Sequence, residues 1–199
     1  MDLHKPLVDK NITEFFGKSR ADKLREETKG KAPYKREEVI IHAFCEGLRE
    51  MGGTYSLPFC FQDRKKERTS HYLIHVTKHA RGYGLMKEIM GKYSIKDNDG
   101  VPTYTFDPKP EIQLMLNFNR SLKELVEALP NQFKGQTLKV GDIYNRHQIE
   151  TRFIKDNYKR ALRILEEHGK IKVDIPLQRR PIRNNKRTLG DNRLVTFIN

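Results

Sequence analysis

Apolar positions recur along this chain in two rhythms, one of three to four residues and one of two, and the rhythm changes several times between its ends. The longer spacing winds onto one stripe of a helix, whereas alternation puts apolar side chains on one face of a strand. Residues 7–17 read as a short helix closed by glycine, and residues 18–31, poor in apolar side chains, read as a charged, mobile segment. Residues 36–51 place Val39, Ile40, Ala43, Phe44, Gly47 and Leu48 on one stripe and end at Gly52-Gly53, which predicts an amphipathic helix. Two strand-like runs, 54–62 and 70–77, flank the charged turn 63–68 and predict a hairpin with a basic tip. Helical spacing returns at 82–90 through Leu85, Met86, Ile89 and Met90, and Asp97-Asn98-Asp99-Gly100 follows as a turn.

A helix, hairpin, helix unit of this kind has a physical difficulty, because a lone two-stranded hairpin leaves unpaired edges. It is expected to pack on a partner chain or to form a homodimer. Pro102, Pro108 and Pro110 then suit an extended connector, and the short apolar run from Ile112 to Phe118 fits either a strand or a helix start.

Beyond the connector, Ser121-Leu122-Lys123-Glu124 has the form of a capping box opening a helix that runs through Leu125, Val126 and Leu129 to Pro130. After a turn at Gly135-Gln136-Thr137, residues 140–148 predict a second helix with Val140, Ile143 and Tyr144 inward. A third follows over 155–168, with Tyr158, Ala161, Leu162 and Leu165 as its buried stripe and Gly169 at its cap. Ile171, Val173 and Ile175 alternate with Lys172 and Asp174, and Leu194, Val195, Phe197 and Ile198 close the chain, with an arginine-rich loop between. Three helices, strand, basic loop, strand is the order of a winged helix. The fold class is therefore α+β, with a helix-hairpin-helix docking unit at 1–100, a Pro-rich connector at 101–110 and a winged-helix domain at 111–199.

Charge sharpens this picture. The net charge is +13, and residues 151–199 hold 13 Lys/Arg against five Asp/Glu, a net of +8 in 49 residues. Residues 61–90 add seven against three. Clustered cations of this density attract polyanions, which makes nucleic acid the expected partner, DNA ahead of RNA. The stripe on the third helix leaves Asn157, Lys159, Arg160 and Arg163 outward, and the wing supplies Arg179, Arg180, Arg183, Lys186 and Arg187. Arg64, Lys65, Lys66 and Arg68 form a secondary basic patch at the hairpin tip. A protein partner is the alternative for such a module, since Glu166-Glu167 interrupt the basic face.

Chemistry-bearing patterns are weak. His71 and His75 lie on one strand face about 13 Å apart, too far to share an ion, and His79 lies beyond them, so no metal site is expected. The Asp97–Gly100 turn would put Ile95 and Phe106 at the end positions of a calcium loop. Cys45 has His42 one helical turn away but no orienting carboxylate, and no glycine-rich loop follows a strand, so neither a catalytic residue nor a cofactor site is expected. Cys45 and Cys60, the only cysteines, read as reduced and buried thiols. The absence of a long apolar run and of an apolar start fits a soluble, cytoplasmic protein.

Leu57-Pro58-Phe59, the run from Thr69 to His79, Met86-Lys87-Glu88-Ile89-Met90, Asp142-Ile143-Tyr144 and Asn157-Tyr158-Lys159-Arg160-Ala161-Leu162 resemble the three-Cys-motif partner proteins. The resemblance implies a bacterial or phage-associated setting and a partner protein with three clustered cysteines. Longer members begin with a methyltransferase-like domain bearing an Asp-x-Phe-Ala-Gly-x-Gly type motif, which this chain lacks. Only the C-terminal half is matched, so no cofactor residue carries over. A helix and two antiparallel strands is also how methyltransferase-like sheets end, which implies that a methyltransferase-like partner chain could complete the hairpin. The reading is a non-catalytic nucleic-acid-binding protein acting with a partner, and its rival is the accessory C-terminal half of a split methyltransferase-like enzyme.

Overall fold

The computed structural model describes residues 6–63, 68–107, 121–183 and 186–198, with the side chains of 6–9, 121 and 186 left aside. The apolar run at 112–118, Pro108, Pro110 and the side chain of Ser121, which the expected capping box needs, thus lie outside what is described. Helix and strand are mixed throughout, an α+β fold. Two compact units are present, one formed by Met1–Pro58 with Tyr72–Tyr83 and the other by Phe59–His71 with Gly84–Asn199.

In the first unit, α1 (Pro6–Phe16), α2 (Lys18–Thr28) and α3 (Pro33–Glu50) follow one another closely. The segment 18–31, expected to be mobile, is corrected here: most of it is α2. Ala21, Leu24 and Thr28, spaced three and four apart, are buried and pack with Ile12, Phe16, Val39, Ile40 and Ala43. A stripe of one small, one large and one polar residue is too narrow to stand out among charged neighbours, yet it suffices against two flanking helices. Gly17, at φ 76°, makes the one-residue turn between α1 and α2, a conformation that a Cβ would disfavour. Arg25 Nη2 donates to Thr13 Oγ1 at 2.7 Å, and Phe15 stacks on Phe44 with centroids 4.3 Å apart.

The hairpin is β1 (Tyr55–Asp63) and β2 (Arg68–Thr77), and α4 (Ala80–Tyr93) follows it. The expectation of a lone hairpin is corrected by β3 (Thr105–Phe106), which adds a third strand in the order β2-β1-β3. It pairs parallel to β1, with Cys60 beside Thr105 and Phe61 beside Phe106. The prolines had favoured a connector, but a proline is tolerated beside an edge strand of this length. Asp97 Oδ1 accepts the backbone N–H groups of Asp99 and Val101 at 3.0 and 2.8 Å, so Asp97–Gly100 is a turn held by its own side chain.

The rest of the second unit comprises α5 (Ser121–Phe133), β4 (Thr137–Lys139), α6 (Val140–His147), α7 (Lys155–Glu167), β5 (Ile171–Val173), β6 (Ile182–Arg183), β7 (Lys186–Arg187) and β8 (Leu194–Phe197). Helix, strand, helix, helix, strand, wing, strand is a winged helix, and its sheet has the order β4-β8-β5, antiparallel throughout. Two details differ from expectation. α5 continues past Pro130 to Phe133, whose buried side chain anchors its last turn. Thr137, read as turn, begins β4, a strand of three residues with Leu138 as its only apolar member and no alternation to betray it.

One core runs through this module, from Leu125 and Leu129 of α5 to Ile143 of α6, Leu162 of α7 and Val195 of β8, all at 0% exposure. Lys87 of α4 is also fully buried, its Nζ donating to the carbonyl of Gln148 at 2.5 Å and to Thr151 Oγ1 at 3.1 Å. Burial disfavours the ammonium form and, against the opposing attraction of Glu88, pushes its pKa down to about 7. In the unfolded chain the amine keeps its ordinary higher value, so between about pH 7 and 10 the native state holds fewer protons and stability rises with pH. Urea unfolding at pH 6, 8 and 9.5 should show this rise, and Lys87→Met should abolish it; parallel pH profiles for the two proteins would refute the account.

Candidate nucleic-acid interface

In a winged helix the third helix and the wing offer their cations to a ligand, so the residues of α7 and of 174–193 decide what this one can bind. The stripe Tyr158, Ala161, Leu162 and Leu165 is buried as its spacing requires. Asn157, expected to face outward, is instead at 0% exposure. Its Oδ1 accepts the backbone N–H of Ile154 at 3.0 Å, closing the first turn of α7, and its Nδ2 donates to the carbonyl of Gly100 at 3.2 Å. Helix geometry explains this placement: position 157 lies four residues before Ala161 and eight before Leu165, on the buried face itself, where its amide satisfies the helix end. Asn157 is thus withdrawn from the contact surface.

The other α7 residues are partly engaged within the chain. Lys159 Nζ lies 2.7 Å from Asp191 Oδ1, and Lys155 Nζ lies 3.2 Å from Asp191 Oδ2. Hydrogen bonding from Lys159, and then from Lys155, holds the Asp191 carboxyl below its usual range. Arg160 donates through Nη1 to the carbonyl of Asp99, and Arg163 is half-buried, its Nε meeting no acceptor among the described residues. Glu88 of α4 accepts the backbone N–H of Lys155 at 2.7 Å, a carboxylate at the positive end of α7. Lys155 and Asp191 were not singled out from the sequence; the signal for the first is its spacing of four from Lys159, which puts both ammonium groups on one helix face.

The wing separates its arginines into two roles. Arg180, expected at the surface, is at 3% exposure: its Nη2 bonds Glu166 Oε1 at 2.5 Å and its Nε donates to the carbonyl of Ile175 at 2.8 Å. Arg187 is half-buried and donates through Nη1 to the carbonyls of Gln178 and Arg180, at 2.5 and 3.0 Å. Buried Leu189 ties the returning strand into the core. Arg179 and Arg183 remain exposed, and among the described residues no carboxylate meets either. Ile182, paired with Arg187 across β6 and β7, is 60% exposed beside them. The backbone of Lys186 belongs to β7, and its side chain lies outside the description. At the hairpin tip Arg64, Lys65 and Lys66 also lie outside it, and Arg68 opens β2, exposed.

Burial pushes the Cys45 thiol up, against an activated nucleophile, and His42 points to Glu46 at 3.8 Å instead. Both cysteines are free and buried. No cluster of three or more metal-ligating side chains occurs among the described residues, nor is any of their helices long and apolar enough to cross a membrane.

Residues 103–177 match the family of GMT-like wHTH domains, a winged helix-turn-helix, which agrees with the three helices α5, α6 and α7 and the strands β4 and β5 described above. No curated protein and no solved structure matches the chain.

The two withdrawn residues should behave as structure. Asn157→Ala leaves a buried N–H and carbonyl unmet and should cost about 1–3 kcal/mol, and Arg180→Ala strands the Glu166 carboxylate and should cost about 3–5 kcal/mol. Urea denaturation checks both; losses under about 0.5 kcal/mol would return these side chains to the surface.

Proposed function

We propose that this chain is a non-catalytic nucleic-acid-binding protein that grips a duplex, DNA ahead of RNA, through its winged helix. The observation that carries this reading is the wing segment, where Arg179, in the turn before the hairpin, and Arg183, on it, stand exposed while Arg180, Arg187 and Leu189 fasten the segment to the rest of the module. Guanidinium groups so presented suit phosphate contact and insertion into a groove. On α7, Lys155 and Lys159 share one carboxylate in the free protein, and a phosphate would compete with Asp191 for both. Arg163 and Lys186 complete the proposed contact set.

A partner chain belongs to the same reading. β2 is an edge of its sheet, ten residues long, with Leu73 and Val76 exposed. An added strand would cover that edge. The resemblance to three-Cys-motif partner proteins supports a three-Cys-motif protein in that place; a methyltransferase-like chain there would make this the accessory half of a split enzyme, and a second copy would make a homodimer.

Binding of a fluorescent DNA duplex at 50 and 200 mM salt tests the proposal. The double reversal Arg179→Glu with Arg183→Glu should lower affinity by about tenfold or more and flatten the slope of log K against log salt by about 2, since each phosphate contact contributes about 0.9. Asp191→Asn should act oppositely, tightening binding by releasing two lysines. No binding at low salt, or full affinity after the double reversal, would remove the proposal.

A further inference from the structure

Gly84, Lys87, Glu88 and Gly91 of α4 are spaced by three and four, so they share one face of the helix. Each of them meets the stretch from Gln148 to Lys155 that joins α6 to α7. The glycines let α4 come close: a Cβ at Gly84 would lie 2.8 Å from Oε1 of buried Gln148, and one at Gly91 2.7 Å from Cγ2 of buried Ile154. Between them Lys87 Nζ donates to the carbonyl of Gln148 and to Thr151 Oγ1, and Glu88 Oε1 accepts the N–H of Lys155.

The stretch held in this way is bent. Glu150 sits at φ 59°, a left-handed conformation that a residue with a side chain keeps only where its surroundings dictate it. The Gln148 carbonyl that takes Lys87 also accepts the Thr151 hydroxyl at 3.1 Å and the Thr151 N–H at 3.3 Å. One amine thus joins the residues on both sides of Ile149 and Glu150. An apolar side chain of the same length would be easier to bury than that amine. What it would lack is the pair of bonds across the bend, so geometry, and not the filling of space, accounts for a lysine at this position.

We infer that α4 is a template for the bend between α6 and α7, and that Lys87 is the positioning residue that fixes how α7 leaves it. The consequence for binding rests on the nucleic-acid reading: Lys155 and Lys159 reach phosphate in register with the wing only when α7 is held in this direction. The winged helix is then a module that begins within α4, ahead of the residues 103–177 that match its family.

Native-state amide hydrogen exchange of the full chain reads the template directly. In Lys87→Met, which fills the same space without the bonds, the amides of Lys155, Asn157 and Tyr158 should be accelerated about tenfold more than those of β8, the scale of one lost buried hydrogen bond. Thr151→Val should do the same, and Thr151→Ser, which keeps the hydroxyl, should match the unaltered protein. Equal acceleration of α7 and β8 in both Lys87→Met and Thr151→Val would overturn the inference, since a residue that only fills the core loosens all of it together. Binding of the duplex used for the wing reads the consequence. Lys159→Ala should weaken it about threefold or more in the unaltered protein and not at all in the Lys87→Met background; equal losses in both would also overturn the inference. No duplex binding, or none that depends on Lys159, removes α7 from the nucleic-acid reading, and the exchange pattern then decides the template alone.

Discussion

Burial of one whole face of α7 is the constraint on which the interface depends. Tyr158, Ala161, Leu162 and Leu165 join residues from α5, α6 and β8 in a single core, and a helix of 13 residues with that much of its circumference inside has few positions left to offer. Asn157 falls on the wrong side of the line and becomes a cap, whereas Lys155 and Lys159 fall on the outer side, where Asp191 meets them. The division between structural and available groups on α7 is thus set by helix geometry. Each residue turns the helix by about 100°, and one position decides whether an amide sees water or a carbonyl.

The same logic governs the polar interior around α4. Lys87 and Glu88 are neighbours in sequence but serve different ends, the amine tying the turn after α6 and the carboxylate closing the first turn of α7. Burial depresses the pKa of His147 and, with Glu88 nearby, raises that of Tyr144, so these groups stay neutral around physiological pH. His147 and Tyr158 share a 2.6 Å hydrogen bond. A winged helix is thereby joined through polar side chains to a helix that precedes it in the chain, and the position of α7 depends on groups outside the three-helix motif.

Much of this was legible in the sequence wherever apolar spacing was long enough to repeat. The buried stripe of α7, the half-buried one of α3 and the closing strand β8 follow from their periods, and the arginine-rich stretch between β5 and β8 marked the wing. What escaped was short or settled by distant partners. β4 has three residues and β3 two, and a period of two needs more than that to show. α2 hides a stripe of Ala21, Leu24 and Thr28 under a charged composition. Arg180 looked like Arg179 and Arg183 because the acid that buries it, Glu166, lies 14 residues away on another element. Position along a sequence says that a guanidinium is present; only tertiary contact says whether its charge is still available.

Arg187 carries a consequence of another kind. Its guanidinium binds two main-chain carbonyls, and Arg180 adds a third alongside its carboxylate. Carbonyl oxygens carry no net charge for mobile ions to compete over, so added salt screens the exposed Arg179 and Arg183 far more than these contacts. On the proposed function, the wing would keep its shape at ionic strengths that strip a polyanion from it, and ligand release would leave behind a wing already formed for the next encounter.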